Sequence, residues 1–304
     1  MIHTSAPGSL MISGEHAVVY GHPAIVCAID QRIHVRLAPG DDGQVHIESA
    51  LGHYCAPVGL LHPDAKLRFV LACLERYPGS GALRLHIDSA IDPTLGLGSS
   101  AAVTVATLAA LAAHGGHDTS LPTLHAQALT IIRGLQGRGS GADLAASLWG
   151  GMIAYRNLPT VHITPLPLPP APPSLRYAGY KTPTGEVLAQ VAARMQHDPG
   201  RYEQLYQRMG ETTAQTIAAA QAENWPLFYS LLNRYQQHLH DLGVCDATQQ
   251  QHLHEALRHP ATHAAKISGS GLGDCIVAFA GTLPAQHSPI RISRSGLMIE
   301  NQKK

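Results

Sequence analysis

The sequence predicts an α+β fold in two domains. Three observations carry that expectation. Strand-like runs rich in Val and Ile occur before residue 90 and again after 264, a mostly helical stretch covers 185–258, and a proline tract, TPLPLPPAPPS (164–174), lies between the two regions. Helices and strands therefore come in blocks rather than in regular βαβ alternation. Prolines cannot donate to a sheet and stiffen the chain, so the tract marks a domain edge. We expect one domain over 1–165 and a second over 175–304.

The elements follow in order. EHAVVYGHPAIVCAIDQRIHVRL (15–37) reads as two strands joined by a Gly-His-Pro turn, and a further strand is expected near 44–49. KLRFVLACLERY (66–77) has helical spacing of apolar residues, and LRLHIDSA (83–90) alternates as a strand does. A glycine-serine loop, PTLGLGSSAA (93–102), runs into a helix expected over 99–114, and a second helix is expected over 121–135. QGRGSGADLAASLWGG (136–151) is a glycine-rich loop opening a short helix, and MIAYRN and TVHIT read as a strand pair. Behind the helical region, AAKISGSGLGDCIVAFAG (264–281) reads as strand, glycine loop, strand. PIRISRSGLMIE reads as one further strand or hairpin, and the terminal NQKK as the only disordered tract.

Composition excludes several classes of function. The formal net charge is zero, 45% of residues are hydrophobic and 14% charged, so nothing attracts nucleic acid or an anionic membrane. With only three Phe and two Trp, a platform for stacking bases is not expected. No apolar run approaches the roughly 20 residues of a membrane span, and no basic segment leads into an apolar one at the N-terminus, so no signal peptide is expected. Five cysteines without a C-x-x-C read as reduced thiols of a cytoplasmic protein. Twenty histidines suggest metal, but HEALRH is one residue too long for H-E-x-x-H. His238, His252 and His259, spaced by multiples of seven, suit one polar helix face.

Four segments could carry chemistry. In the first glycine loop, unpaired N–H groups at the helix start make an anion site. Gly96 and Gly98 allow close approach of backbone to phosphate, and Ser99 and Ser100 can donate to it or join a Mg2+ shell. A glycine turn capped by serine would read the same way. SGSGLGD (268–274) is a second such loop, able to wrap phosphate as a nest or to be a tight turn. Asp143, at a helix start among small residues, suits a carboxylate that accepts a proton from an attacking alcohol, or one that complements the helix dipole. Glu15 and His16 precede a strand, and His16 could bond a carboxylate or hydroxyl.

Taken together, these segments resemble the GHMP small-molecule kinases. APGSLMISGEHAVVYG, PTLGLGSSAAVTVA and KISGSGLGDCIVAF match the three family motifs in order, over residues 6 to about 280. The resemblance implies a ribosomal protein S5 domain 2-like N-terminal domain and a ferredoxin-like C-terminal domain, with ATP between them. It implies that Gly96, Leu97, Gly98, Ser99, Ser100 and Ala101, with Ser268, Gly269, Ser270 and Gly271, bind ATP phosphates. Ser100 would hold Mg2+ and Asp143 would be the catalytic base. GEHAVVYGHPAIVCAID is similar to mevalonate kinases, which implies mevalonate as the small-molecule partner, with Glu15 and His16 near its pocket, and allows a homodimer. GSGADLAAS and GLGDC are similar to phosphomevalonate kinases, whose extra phosphate would call on Arg133, Arg138 or Lys181. The sequence departs from the family at Ser9, where a lysine is usual, so either Lys181 or Arg138 substitutes as the cation or catalysis rests more on Mg2+. The usual Mg2+-binding glutamate is also missing, since the stretch before Asp143 reads TIIRGLQ.

Overall fold

The computed structural model describes residues 1–92 and 94–301. Pro93, first residue of the first glycine loop, and 302–304 of the terminal NQKK lie outside the described residues.

The chain opens with a strand, β1 (Ile2–Ser13), which the sequence reading did not contain. Its partner β2 (Ala24–Pro39) runs antiparallel to it, and the register slips between Pro7 and Ser9 and again between Met11 and Ser13. Pro7 and Gly8 read locally as breakers, but the first slip is where a strand can carry them. Between the two strands the expected strand of EHAVV is instead a single 3-10 turn, Ala17–Tyr20, with His16 at φ 62. The β-branched valines misled the reading; Val18 is buried all the same, and the turn is closed by Gly21 at φ 87.

β3 (Gln44–Ser49), β4 (Gly52–Pro57), β5 (Leu83–Ser89), β6 (Met152–Arg156) and β7 (His162–Leu166) complete most of the first sheet. The order is β12-β1-β2-β5-β3-β4, with β6 on the first half of β2 and β7 beyond it. Four helices cover it: α1 (Arg68–Arg76), α2 (Ser99–Gly115), α3 (Leu121–Gln136) and α4 (Ala142–Trp149). α2 is apolar nearly all round, and Ala101, Ala102, Val105, Ala106, Leu108, Ala109 and Leu111 are buried. A helix of that kind belongs inside a protein. Its alanines let it lie close to β1 and β2, which delivers its N-terminus to the middle of the molecule.

The second sheet holds β8 (Pro173–Tyr177), β9 (Thr262–Ser268), β10 (Cys275–Ala280) and the short β11 (Ser288–Pro289). All neighbours are antiparallel, in the order β11-β8-β10-β9, which is fourth-first-third-second in chain order. That is the arrangement expected of a ferredoxin-like sheet. Its helices are α5 (Thr184–His197), α6 (Pro199–Gln221), α7 (Trp225–Asp241) and α8 (Ala247–Arg258). The fold is thus α+β, as the sequence predicted. The last segment, however, is not a hairpin. β11 joins the second sheet, whereas β12 (Met298–Asn301) returns to pair with β1. A boundary of 175–304 therefore assigns the final strand to the wrong sheet.

Candidate active site

β1, the start of α2 and the β9–β10 loop meet at one place. The first contact depends on Gly8. A Cβ there would stand 2.5 Å from Leu97 O, so glycine lets the strand approach, and Ser9 N donates to Leu97 O at 3.0 Å. The register slip aims Ser9 into the site, a use to which bulges are commonly put. Its hydroxyl donates to Asp143 Oδ1 at 2.7 Å. Position 9 thus meets the aspartate directly, with a neutral donor.

Asp143 lies in the first turn of α4. Its residue is exposed, yet protein surrounds it closely, which places it at the floor of an open cleft. That surrounding desolvates the carboxyl and pushes its pKa up from the ordinary value, and the Ser9 hydroxyl pulls the other way. The loop ahead of it is pinned by side chains the sequence reading missed. Tyr155 OH donates to Ser140 O at 2.7 Å, Asn157 Nδ2 to the same oxygen at 3.3 Å, and His125 Nε2 to Gly141 O at 3.0 Å. Arg133 Nε donates to Gly139 O at 3.1 Å, so that cation braces the loop. No local signal marks these contacts, because β6 and α3 are brought to the loop only by folding.

α2 begins at Gly98, φ 67, without a side-chain cap, so its first N–H groups face the cleft beside Ser99 and Ser100. The second loop is built of left-handed residues, with Gly269 at φ 90, Gly271 at 84, Leu272 at 52, Gly273 at 128 and Asp274 at 60. Gln249 Nε2 holds it from α8 through Gly273 O at 2.6 Å. Cys275 Sγ, just past this loop, donates to Leu95 O at 3.4 Å, so the two glycine loops adjoin. The loop of Gly96, Leu97, Gly98, Ser99, Ser100 and Ala101 therefore lies near that of Ser268, Gly269, Ser270 and Gly271.

Glu15 and His16 are gathered too, but not as free ligands. Glu15 Oε1 pairs with Lys266 Nζ, and the two residues are 3% and 0% exposed. Burial lowers the Lys266 pKa and the carboxylate opposes it. His16 Nε2 donates to Ser270 O at 2.8 Å; burial lowers its pKa, so it is the neutral tautomer, with Nδ1 buried and unpartnered. Both residues tether the first motif to the third motif, at β9 and the loop after it. Lys181 also departs from expectation. It pairs with Asp274 at 3.3 Å, beside Gly96, and the cation does not replace Ser9 at Asp143. Arg138 is exposed in the loop before Asp143.

The residues fit a polyphosphate. Ser270 Oγ is buried without a partner, α2 is uncapped, and Gly96 and Gly98 let the first loop lie directly against Asp274 and Ser9. Among the described residues no group of three His, Cys, Asp or Glu is placed to hold a metal ion, and none of their helices is long and apolar enough to cross a membrane.

The α+β fold sets an uncapped helix end and a left-handed glycine loop close to the Asp143 carboxylate, an arrangement suited to handling a phosphate beside a proton acceptor. The profile described as GHMP kinases N terminal domain matches residues 66–151. A mevalonate kinase of Archaeoglobus fulgidus is 30% identical over 306 residues, covering 97% of this chain and 99% of that one. The chain belongs to the GHMP kinases. A phosphomevalonate kinase of Streptomyces sp. is 36% identical, but over 180 residues, half of this chain and 48% of that one. Among solved structures, L. major mevalonate kinase in complex with R-mevalonate superposes with a TM-score of 0.76, at 21% identity and 96% coverage of both chains. That likeness concerns the fold.

Proposed function

We propose that the protein is an ATP-dependent kinase that phosphorylates the C5 hydroxyl of mevalonate. The observation that carries the reading is the Ser9–Asp143 hydrogen bond at the foot of α2. It puts a proton acceptor beside an anion-binding helix end, the pairing that phosphoryl transfer to an alcohol needs. Full-length likeness to a mevalonate kinase supports the acceptor. Bound ATP would supply the phosphoryl group, and Mg2+, held by Ser100 and the phosphates, would neutralise charge. So small a protein share suits Mg2+, which usually keeps several waters.

The chain's own residues do the rest. Ser9 occupies Asp143 Oδ1 and leaves Oδ2 to orient the acceptor hydroxyl and take its proton. The first N–H groups of α2 hold the oxygens nearest transfer, and the 268–274 loop closes over the chain of phosphates. The unpaired cysteines suit a cytoplasmic enzyme.

The partial match to a phosphomevalonate kinase favours that enzyme as the second reading. ADP release, followed separately with mevalonate, phosphomevalonate, homoserine and galactose, decides between them. Turnover with phosphomevalonate and none with mevalonate would overturn the first choice. Asp143→Asn should retain ATP binding by calorimetry and lose about 10²–10⁴-fold in kcat. Near-normal turnover would remove Asp143 from its role.

A further inference from the structure

Asp274 is a carboxylate in a costly position. It is 4% exposed, its backbone is left-handed at φ 60, and the partner of Oδ1 is a lysine ammonium rather than a backbone N–H. The sequence puts it in a run where glycine would meet the backbone demand without strain. Its place in the molecule is specific. A Cβ on Gly96 would stand 3.1 Å from Oδ1, and a Cβ on Gly269 would stand 3.1 Å from Oδ2. The carboxylate is therefore wedged between the two glycine loops. Burial pushes its pKa up, and Lys181 pulls it down.

Lys181 is its only near cation among the described residues, with Nζ 3.3 Å from Oδ1 and a side chain 36% exposed. The segment that carries it is fastened to the same loop. Asp274 N donates to Tyr180 O at 3.1 Å, Ala178 N to Asp274 O at 2.8 Å, and Thr182 Oγ1 to Leu272 O at 2.5 Å. The ammonium thus has a fixed base and N–H groups left over, since an ammonium carries three donors.

The two ends of the first loop are not equivalent. Gly98 lies against Ser9, which holds Asp143, so that end serves the phosphoryl group being transferred. Gly96 lies against Asp274, whose carboxylate pairs with Lys181, at the other end. A bare carboxylate there would repel a phosphate chain, whereas a lysine held by it would attract one.

Resting on the kinase reading, we propose that Asp274 and Lys181 form a nucleotide-positioning pair. Asp274 aims the Lys181 ammonium at the phosphates remote from transfer, and Lys181 cancels the charge with which Asp274 would repel them. Lys181 therefore serves the nucleotide and not the acceptor.

Calorimetric titration of the whole protein with ADP and Mg2+ tests this. Lys181→Ala should weaken ADP binding about tenfold, because a charge-assisted contact is lost and a carboxylate is bared. Lys181→Arg should stay within about threefold of wild type, and Lys181→Ala with Asp274→Asn should recover the part of the loss that comes from the bared carboxylate, because the repelling charge is gone while the ammonium contact is still missing. The KM for the acceptor should be unchanged in Lys181→Ala. Wild-type ADP affinity in Lys181→Ala, or no recovery in the double variant, would overturn the pair while leaving the kinase reading in place. A wild-type protein that binds no ADP would overturn both.

Discussion

Gly98→Ala probes the point where strand, helix and aspartate meet. Gly98 has φ 67, in the left-handed region, where a side chain costs about 1–2 kcal/mol. The added Cβ would also overlap Ser9 Oγ outright and stand 3.0 Å from Ser9 N. Relief requires either a shift of the first turn of α2, at about 1–3 kcal/mol for overpacking, or rotation of Ser9 away from Asp143. The second route gives up a hydroxyl-to-carboxylate bond worth about 1.5–3 kcal/mol. Each route costs about 2–5 kcal/mol in all. Urea unfolding measures that loss, and kcat should fall with it because Ser9 or the helix end has moved. Ser9→Ala combined with Gly98→Ala removes the overlapping oxygen but keeps the left-handed strain. Its destabilisation should therefore be smaller than the sum of the single changes by about 1 kcal/mol or more. Wild-type stability and turnover in Gly98→Ala, or strict additivity in the pair, would refute the reasoning.

Two further expectations concern charge. Lys266→Met leaves Glu15 buried without its cation and should cost about 3–5 kcal/mol in urea unfolding, while Lys266→Met with Glu15→Leu should regain much of it; a single variant as stable as wild type would show that the pair is not what fastens the first motif to β9. In the kinase reading Asp143 must be ionised to accept a proton, so activity should be present above its pKa and lost as pH falls through it. Ser9→Ala removes the contact that pulls this pKa down, so the acid limb of kcat/KM should move to higher pH, and an unmoved or lowered limb would count against the hydrogen bond.

The sequence was most legible where a local pattern and a local cause coincide. α2 starts at Ser99 as read, because the apolar run and the glycines before it are enough to set it. The pair β6 and β7 also read correctly as two strands. β1 was not, because Pro7 and Gly8 look like chain breaks until β2 shows where the ladder slips. The turn at Ala17–Tyr20 sits beside Glu15, whose partner Lys266 lies far along the chain, so no window of sequence shows that contact. β12 fails to read for the same reason, since its partner is the first strand of the chain. In the site, the two glycine loops and Asp143 were legible from their motifs. The supports, Tyr155, Asn157 and His125, were not. Asp274 did leave a signal, a charged residue in a glycine run, which becomes informative once its left-handed backbone is known.

The serine at position 9 has a consequence for how the site divides its work. A lysine beside Asp143 would stabilise charge on the transferring phosphate, but by the same Coulombic attraction it would hold the aspartate's pKa down. A hydroxyl donor at 2.7 Å orients the carboxylate without adding charge, so burial keeps the upper hand and the pKa stands raised. A base is most effective when its pKa lies near the working pH, so the exchange strengthens Asp143 as a proton acceptor. It also removes a positive charge from the transfer end of the cradle. In the kinase reading that deficit falls on the uncapped N–H groups of α2 and on Mg2+, since Lys181 is tied to Asp274 at the far end of the loop. In that reading the preorganised helix end is the main fixed source of positive potential at the reacting oxygens, and Gly98 is what lets that end pack against Ser9.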